Sequence, residues 1–191
     1  AQVVVLTDGG RSHFGSRLWP RRRLAAHRAV EARRAMNRLN LPRTAFTAFD
    51  FPDGELLFRA SARARAAQRL AMLAKRLRAR RIFVTWRHDP HPDHIAAALI
   101  AEAAARQLRI PLIEFPVWGR FLPGALRLSD RWRARRLDVR AFLPAKRGAM
   151  ASYRTQTTPL ISDAPLAHRL SPDEWSAFLT PYETYFFSAP P

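Results

Sequence analysis

The sequence contains no cysteine. That excludes a disulfide scaffold, a Cys-ligated zinc module, an iron–sulfur centre and a cysteine nucleophile. Lysine is nearly absent, with Lys75 and Lys146 the only two. Acidic residues are scarce as well: 15 Asp+Glu stand against 33 Lys+Arg, a net charge of +18. No apolar run approaches the roughly 20 residues of a membrane span. The opening Ala1–Leu6 lacks a basic n-region and is too short for a signal h-region. Without cysteine or a signal segment, the expected compartment is the cytoplasm. No internal repeat or low-complexity tract is present.

What remains is a chain of 191 residues, 48% hydrophobic and 25% charged. This favours a single domain over 1–191 with its own core, residues 120–191 being its looser part. The positive charge is almost all arginine, in a chain also rich in Ala and Pro, which reads as a compositional habit. Many arginines fall in the helical stretch 63–81, where they would form a solvated face. A basic module for nucleic acid or anionic lipid is the alternative. No aromatic RNP-like strand, Cys/His finger or basic zipper supports nucleic acid as a partner.

Local pattern predicts alternating strands and helices. Val3–Leu6 reads as a fully buried strand before the turn Thr7-Asp8-Gly9-Gly10. Leu24–Leu39 has helical period, Thr44–Phe51 is a strand, and Ala60–Arg80 is a long helix free of Gly and Pro. Ile82–Val84 reads as a buried strand, Ile95–Leu108 as an Ala-rich helix and Pro111–Val117 as a strand. Later, Leu137–Leu143 reads as a strand, Lys146–Tyr153 as a helix and Ser171–Leu179 as a helix with a strong N-terminal signal. Strands alternating with helices specify an α/β fold, a mostly parallel sheet wrapped by helices. Ligands in such sheets sit at the carboxyl ends of the strands. Three predicted strand ends carry Asp8, Asp53 and the segment His88–His94.

Three of the six histidines lie within His88–His94, beside Asp89 and Asp93. The chemistry available is metal ligation or proton transfer. Pro90 and Pro92 stiffen the loop, and Asp93 stands where it could cap the next helix. One short loop rarely supplies the three ligands of a catalytic zinc. The other candidates are His13 and Asp8. The residues alone therefore describe a partial metal site.

These segments resemble the PIG-L/LmbE-type zinc-dependent deacetylases of N-acetylglucosaminyl compounds. Val3–Gly10 resembles the family's second strand with its TDG turn. Arg28–Glu31 resembles its RxxE helix, and Phe51–Gly54 its third strand end. His91-Pro92-Asp93-His94 resembles its HxDH motif. Ile113–Gly119 and Lys146–Gln156 resemble a later strand and a K…YxSQ segment, with Thr155 in place of Ser. The resemblance implies a Rossmann-like three-layer sandwich and removal of an acetyl group from an amino-sugar conjugate, small or glycolipid. It implies His94 as a zinc ligand, His91 as the group stabilising the oxyanion or protonating the leaving amine, and Asp93 as a carboxylate orienting a histidine. Arg28 and Asp53, joined by Asp8 and Arg11, would contact the sugar or shape its pocket. The family's first strand ends in an HPDD-type motif that supplies further zinc ligands and the general base. This sequence holds no such motif and begins where the second strand begins. The expectation is an N-terminally incomplete domain with an incomplete zinc site and little activity of its own, or a pseudoenzyme that keeps a sugar pocket.

Overall fold

The structure is a computed structural model that describes residues 1–122 and 132–188. Its elements run β1 (Val3–Thr7), β2 (His13–Phe14), α1 (Arg21–Arg38), β3 (Phe46–Phe51), α2 (Ala60–Arg76), β4 (Ile82–Thr85), α3 (Pro92–Leu108) and β5 (Leu112–Phe115). They continue with β6 (Trp132–Asp138), α4 (Leu143–Ala151), α5 (Arg154–Thr157), β7 (Leu166–Ala167), α6 (Pro172–Phe178) and β8 (Tyr182–Ser188). The chain divides into two compact units. One comprises residues 1–53 and 138–182; the other comprises 54–137 and 183–191. The expected α/β class is borne out. Each unit contains a parallel strand pair joined across a helix, β1–α1–β3 in the first and β4–α3–β5 in the second.

In the first unit β1 pairs with β3 in a two-stranded parallel sheet. All five β1 residues are half-buried, not fully buried as the apolar run suggests. The register slips between Val5 and Thr7, and Asp50 takes a positive φ of 57° beside the slip. Helix α1 turns Leu24, Ala32, Ala35 and Met36 inward and packs against α4. Helix α6 starts on a full capping box between Ser171 and Glu174, as its sequence predicts.

The second unit holds a four-stranded sheet in the order β4-β5-β8-β6. Pairing of β4 with β5 is parallel, and that of β5 with β8 antiparallel. Because β4 is the edge strand, only Val84 is buried, while Phe83 is half-exposed against the Tyr185 ring. Helix α2 repeats small apolar residues at helical spacing and buries Ala62, Ala66, Leu73 and Ala74 beside α3. Arg65, Arg69, Lys75 and Arg76 face water.

Helix α2 ends at Arg76, four residues before the predicted end. Arg78 takes φ 50°, its N–H bonds the Lys75 carbonyl, and the Ala79 N–H bonds the Ala74 carbonyl at 2.9 Å. That is a Schellman cap with arginine at the left-handed position. Helices α1 and α3 end the same way at Asn40 and Arg109. The ends of α1 and α3 fall within one residue of the expected Leu39 and Leu108, whereas the stop of α2, with arginine in place of glycine or asparagine, was not legible.

The strand expected over 137–143 is corrected. The strand runs earlier, Trp132–Asp138, and a 3-10 turn, Arg140–Phe142, leads into α4. The Asp138 carboxylate accepts the Arg140 backbone N–H at 3.0 Å, which turns the chain, and Pro144 suits the first turn of a helix. Strand β8 was missed, although its run of aromatic residues carries strand propensity.

Candidate functional site

The candidate residues fall into two groups, one in each unit. In the first unit, Phe51 at the end of β3 accepts the Asp8 N–H at 2.9 Å, which fixes the turn after β1. Asp8 Oδ1 accepts the N–H groups of Gly10 at 3.0 Å and Asp53 at 3.3 Å; Oδ2 accepts from Arg21 at 3.1 Å. Asp53 Oδ2 in turn accepts the Arg11 N–H at 2.9 Å. The two aspartates therefore tie the turns after β1 and β3 to each other. This places Asp8, Arg11 and Asp53 together.

Arg28 lies across the Gly9 turn. Gly9 has φ 64°, and a Cβ there would stand 3.0 Å from Arg28 Nε. The guanidinium donates to Ser12 Oγ at 3.4 Å and lies 5.8 Å from the Tyr153 ring centre. Burial lowers its pKa from the usual arginine value, while Tyr153, Glu31 and Asp53 oppose that shift. Burial likewise raises the Tyr153 phenol. Glu31 is fully buried, and its carboxylate accepts both the N–H and the hydroxyl of Thr155.

His13, at β2, is 2% exposed. Its Nδ1 lies 3.2 Å from Ser12 Oγ, and its Nε2 has no hydrogen-bond partner among the described residues. Burial lowers its pKa, and Arg28, Arg169 and His168 add to the effect against an opposing Glu31. A histidine held neutral in the folded state takes up a proton more readily when unfolded. Its contribution to stability is complete above the ordinary histidine pKa of about 6.5 and falls as pH drops below it. Urea midpoints between pH 7.5 and 5 are therefore expected to fall with acidity. A His13→Asn variant is expected to flatten that slope, and an unchanged slope would contradict the assignment.

In the second unit, β4 delivers the chain into the His88–His94 segment, and α3 begins at Pro92. His91 is the N-cap: its Nδ1 accepts the Asp93 N–H at 3.2 Å. The cap is thus His91 where the sequence had suggested Asp93, and Pro92 occupies the first helical turn. A neutral ring that accepts at Nδ1 carries its proton on Nε2. Asp93 is buried, and its Oδ2 accepts the Gly54 N–H at 3.0 Å. His88 is exposed, with its ring edge-on to Trp86.

His94 Nδ1 lies 2.9 Å from Asp89 Oδ1, and its ring centre is 4.8 Å from that of His91. Asp89 is fully buried, and its Oδ2 accepts the N–H groups of Val117 at 2.8 Å and Gly119 at 3.1 Å. Burial pushes its carboxyl up, but the bonds from His94, Gly119 and Val117 outweigh this and hold its pKa below the ordinary value. An ionised Asp89 fixes the proton of a neutral His94 on Nδ1 and leaves the Nε2 lone pair open. Asp89, to which the sequence reading assigned no role, is the carboxylate that holds His94. Gly119 has no room for a side chain, since a Cβ there would meet Trp86 Cε3 at 2.8 Å.

Zinc is the metal that the family resemblance implies. His94 fits part of that role, because zinc-bound histidines usually have a carboxylate or carbonyl on the other ring nitrogen. A catalytic zinc takes about three protein ligands. Among the described residues no three His, Asp or Glu side chains gather into a metal-holding group. The described residues therefore do not make a complete zinc site. The chemistry they support is that of two neighbouring histidines, His94 backed by the Asp89 carboxylate and His91 held at Nδ1 by the Asp93 backbone N–H.

A sequence profile described as PIG-L: GlcNAc-PI de-N-acetylase matches residues 1–105, more than half of the chain. No curated protein matches by sequence. Several solved structures share the fold. The conserved protein TT1542 from Thermus thermophilus is 22% identical, with a TM-score of 0.64 over 100% of this chain and 81% of its own. The A40926 pseudoaglycone deacetylase Dbv21 is 19% identical, with a TM-score of 0.65 over 98% of this chain and 85% of its own. The N,N'-diacetylchitobiose deacetylase from Pyrococcus horikoshii is 16% identical, with a TM-score of 0.60 over 92% of this chain and 61% of its own. None of the helices among the described residues is long and apolar enough to cross a membrane. The order of the matched segments, the α/β fold and the carboxylate-backed histidine at the start of α3 agree with one assignment: the chain belongs to the PIG-L family of GlcNAc-PI de-N-acetylases.

Proposed function

We propose that the protein hydrolyses the acetamide of an N-acetylglucosamine-type conjugate, small molecule or glycolipid. The observation that carries this reading is the His91–His94 pair at the start of α3, with Asp89 behind His94. His91, protonated at Nε2, donates to the oxyanion or to the departing amine. His94 Nε2 would be one ligand of a zinc ion, which would supply Lewis acidity toward the acetyl carbonyl and the attacking water. Asp93 takes part through its backbone N–H, which His91 Nδ1 accepts, while its carboxylate holds the Gly54 N–H; the carboxylate that orients a histidine is Asp89 instead. In the first unit Arg28, Asp53, Asp8 and Arg11 are assigned to the sugar; backbone ties already occupy both aspartates, which suits a rigid binding surface.

Acetate release from N-acetylglucosamine conjugates by the full-length protein tests this reading. His91→Ala and His94→Ala are each expected to lower turnover about 100-fold or more, the scale of a lost acid–base group, and a chelator is expected to stop it. Turnover that survives both substitutions would sink the assignment, and chelator-insensitive turnover would remove the metal. Calorimetric titration with zinc checks the donor count separately. Binding weaker than micromolar is expected from one supported histidine, whereas a stoichiometric sub-micromolar site would show a complete ligand set.

A further inference from the structure

Glu31 lies mid-helix in α1 and is fully buried, as is Thr155 in α5. Glu31 Oε1 accepts the Thr155 N–H at 2.9 Å, and Oε2 accepts the Thr155 hydroxyl at 2.7 Å. His27 Nε2 stands 3.4 Å from the same Oε1. A buried carboxylate that takes two directed bonds from one residue fixes both the distance and the rotation of the two segments. The lock therefore sets their neighbours in register. Arg28 lies three residues before Glu31, and Tyr153 two before Thr155.

Those two neighbours have bonding capacity to spare. A guanidinium carries five N–H donors, and among the described residues Arg28 makes one side-chain hydrogen bond, a long one to Ser12. The Tyr153 hydroxyl makes none among the described residues, although the side chain is half-buried and stands against Arg28. Both side chains are half-buried, so their spare donors face water that the hydroxyls of a ligand can replace. A sugar, with hydroxyls on adjacent carbons, supplies them a few ångströms apart.

We propose that Glu31 and Thr155 are positioning residues that hold Tyr153 against Arg28, and that the Tyr153 hydroxyl and the Arg28 guanidinium together bind hydroxyls of the amino sugar. The choice of sugar as ligand rests on the de-N-acetylase reading; the positioning does not. Substituting Glu31 or Thr155 should reach the ligand only through Tyr153.

The test uses the full-length protein and two readouts. The first is the Arg28 side-chain N–H resonance, which the Tyr153 ring current displaces. The second is the split between KM and kcat for acetate release, with N-acetylglucosamine titration as the binding measure. Thr155→Ser keeps the hydroxyl and is expected to leave both unchanged. Thr155→Ala is expected to move the Arg28 resonance and to raise KM roughly tenfold with kcat nearly constant, the scale of one lost hydrogen bond. Tyr153→Phe keeps the ring, so it is expected to keep the resonance while raising KM similarly. An unmoved Arg28 resonance in Thr155→Ala overturns the positioning role, and an unchanged KM in Tyr153→Phe overturns the contact. If Thr155→Ala fails to fold, the isosteric Thr155→Val, which also removes the hydroxyl bonded to Glu31, decides the positioning by the same Arg28 resonance, and Tyr153→Phe decides the contact. If no acetate is released from any N-acetylated sugar, the de-N-acetylase reading falls; the resonance then still decides the positioning, and the N-acetylglucosamine titration decides the contact.

Discussion

Asp89→Ala is expected to destabilise the fold by about 3–5 kcal/mol and to abolish acetate release. Three donors lose their acceptor at once: the Val117 and Gly119 N–H groups and the His94 ring. An unsatisfied buried donor costs about 1–3 kcal/mol. The Gly119 N–H is buried, and the close Trp86 ring hinders any local rearrangement. Asp89→Asn separates structure from chemistry. Its amide oxygen still accepts the two backbone N–H groups, so the loss should be about 1–2 kcal/mol. Its amide nitrogen, facing His94 Nδ1, would favour the other tautomer and close the Nε2 lone pair. Turnover should then fall by about 10–100-fold, the usual range when the partner behind a ligating histidine is changed. Urea midpoints and acetate release measured side by side check this. A stability loss under about 1 kcal/mol in Asp89→Ala would show that water replaces the carboxylate.

Glu114→Ala is the second large effect, expected at about 2–4 kcal/mol. Glu114 sits fully buried in β5. It accepts the Arg87 backbone N–H at 3.1 Å and the guanidinium at 2.9 and 2.6 Å. Breaking a buried pair strands the surviving charge, at about 3–5 kcal/mol when burial is complete. Arg87 is 29% exposed, which lowers the figure. Burial lowers its pKa, but the bonds to Glu114 and the nearby Glu102 outweigh this and raise it. Removing both partners is a different matter, because apolar side chains of similar volume avoid the desolvation cost. Arg87→Met with Glu114→Leu is thus expected to recover most of the loss. Chemical denaturation of the two single variants and the double variant measures the difference. A double variant as unstable as Glu114→Ala would mean that the Arg87 backbone bond, not the ion pair, matters.

Much of the fold was legible from local pattern. The helical period of α1 and α2, the apolar run of β1 and the Ser171–Glu174 box each concern residues within a few positions of one another. Segment order also located the histidines of the HxDH motif and the RxxE helix. Two of the misreadings share one cause. Helix α2 ends on an arginine in the left-handed region, stabilised by backbone bonds alone, and β4 is half-exposed because it lies at the sheet edge. Residue identity carries no trace of either.

The same distinction separates the candidate site. Which residue types stand at the strand ends follows from the chain itself, since strand, turn and helix signals are short-range. Which carboxylate serves which donor was decided by folding. Asp89 and Asp93 look equivalent in the sequence, yet Asp89 holds His94 because Val117 and Gly119 close over it from 28 and 30 residues away. Glu31 reads as half of an ordinary helix pair with Arg28, yet it bonds Thr155 across 124 residues. A buried carboxylate must find donors wherever the packed chain brings them. Backbone N–H groups are the same in every residue, so three-dimensional proximity alone selects among them.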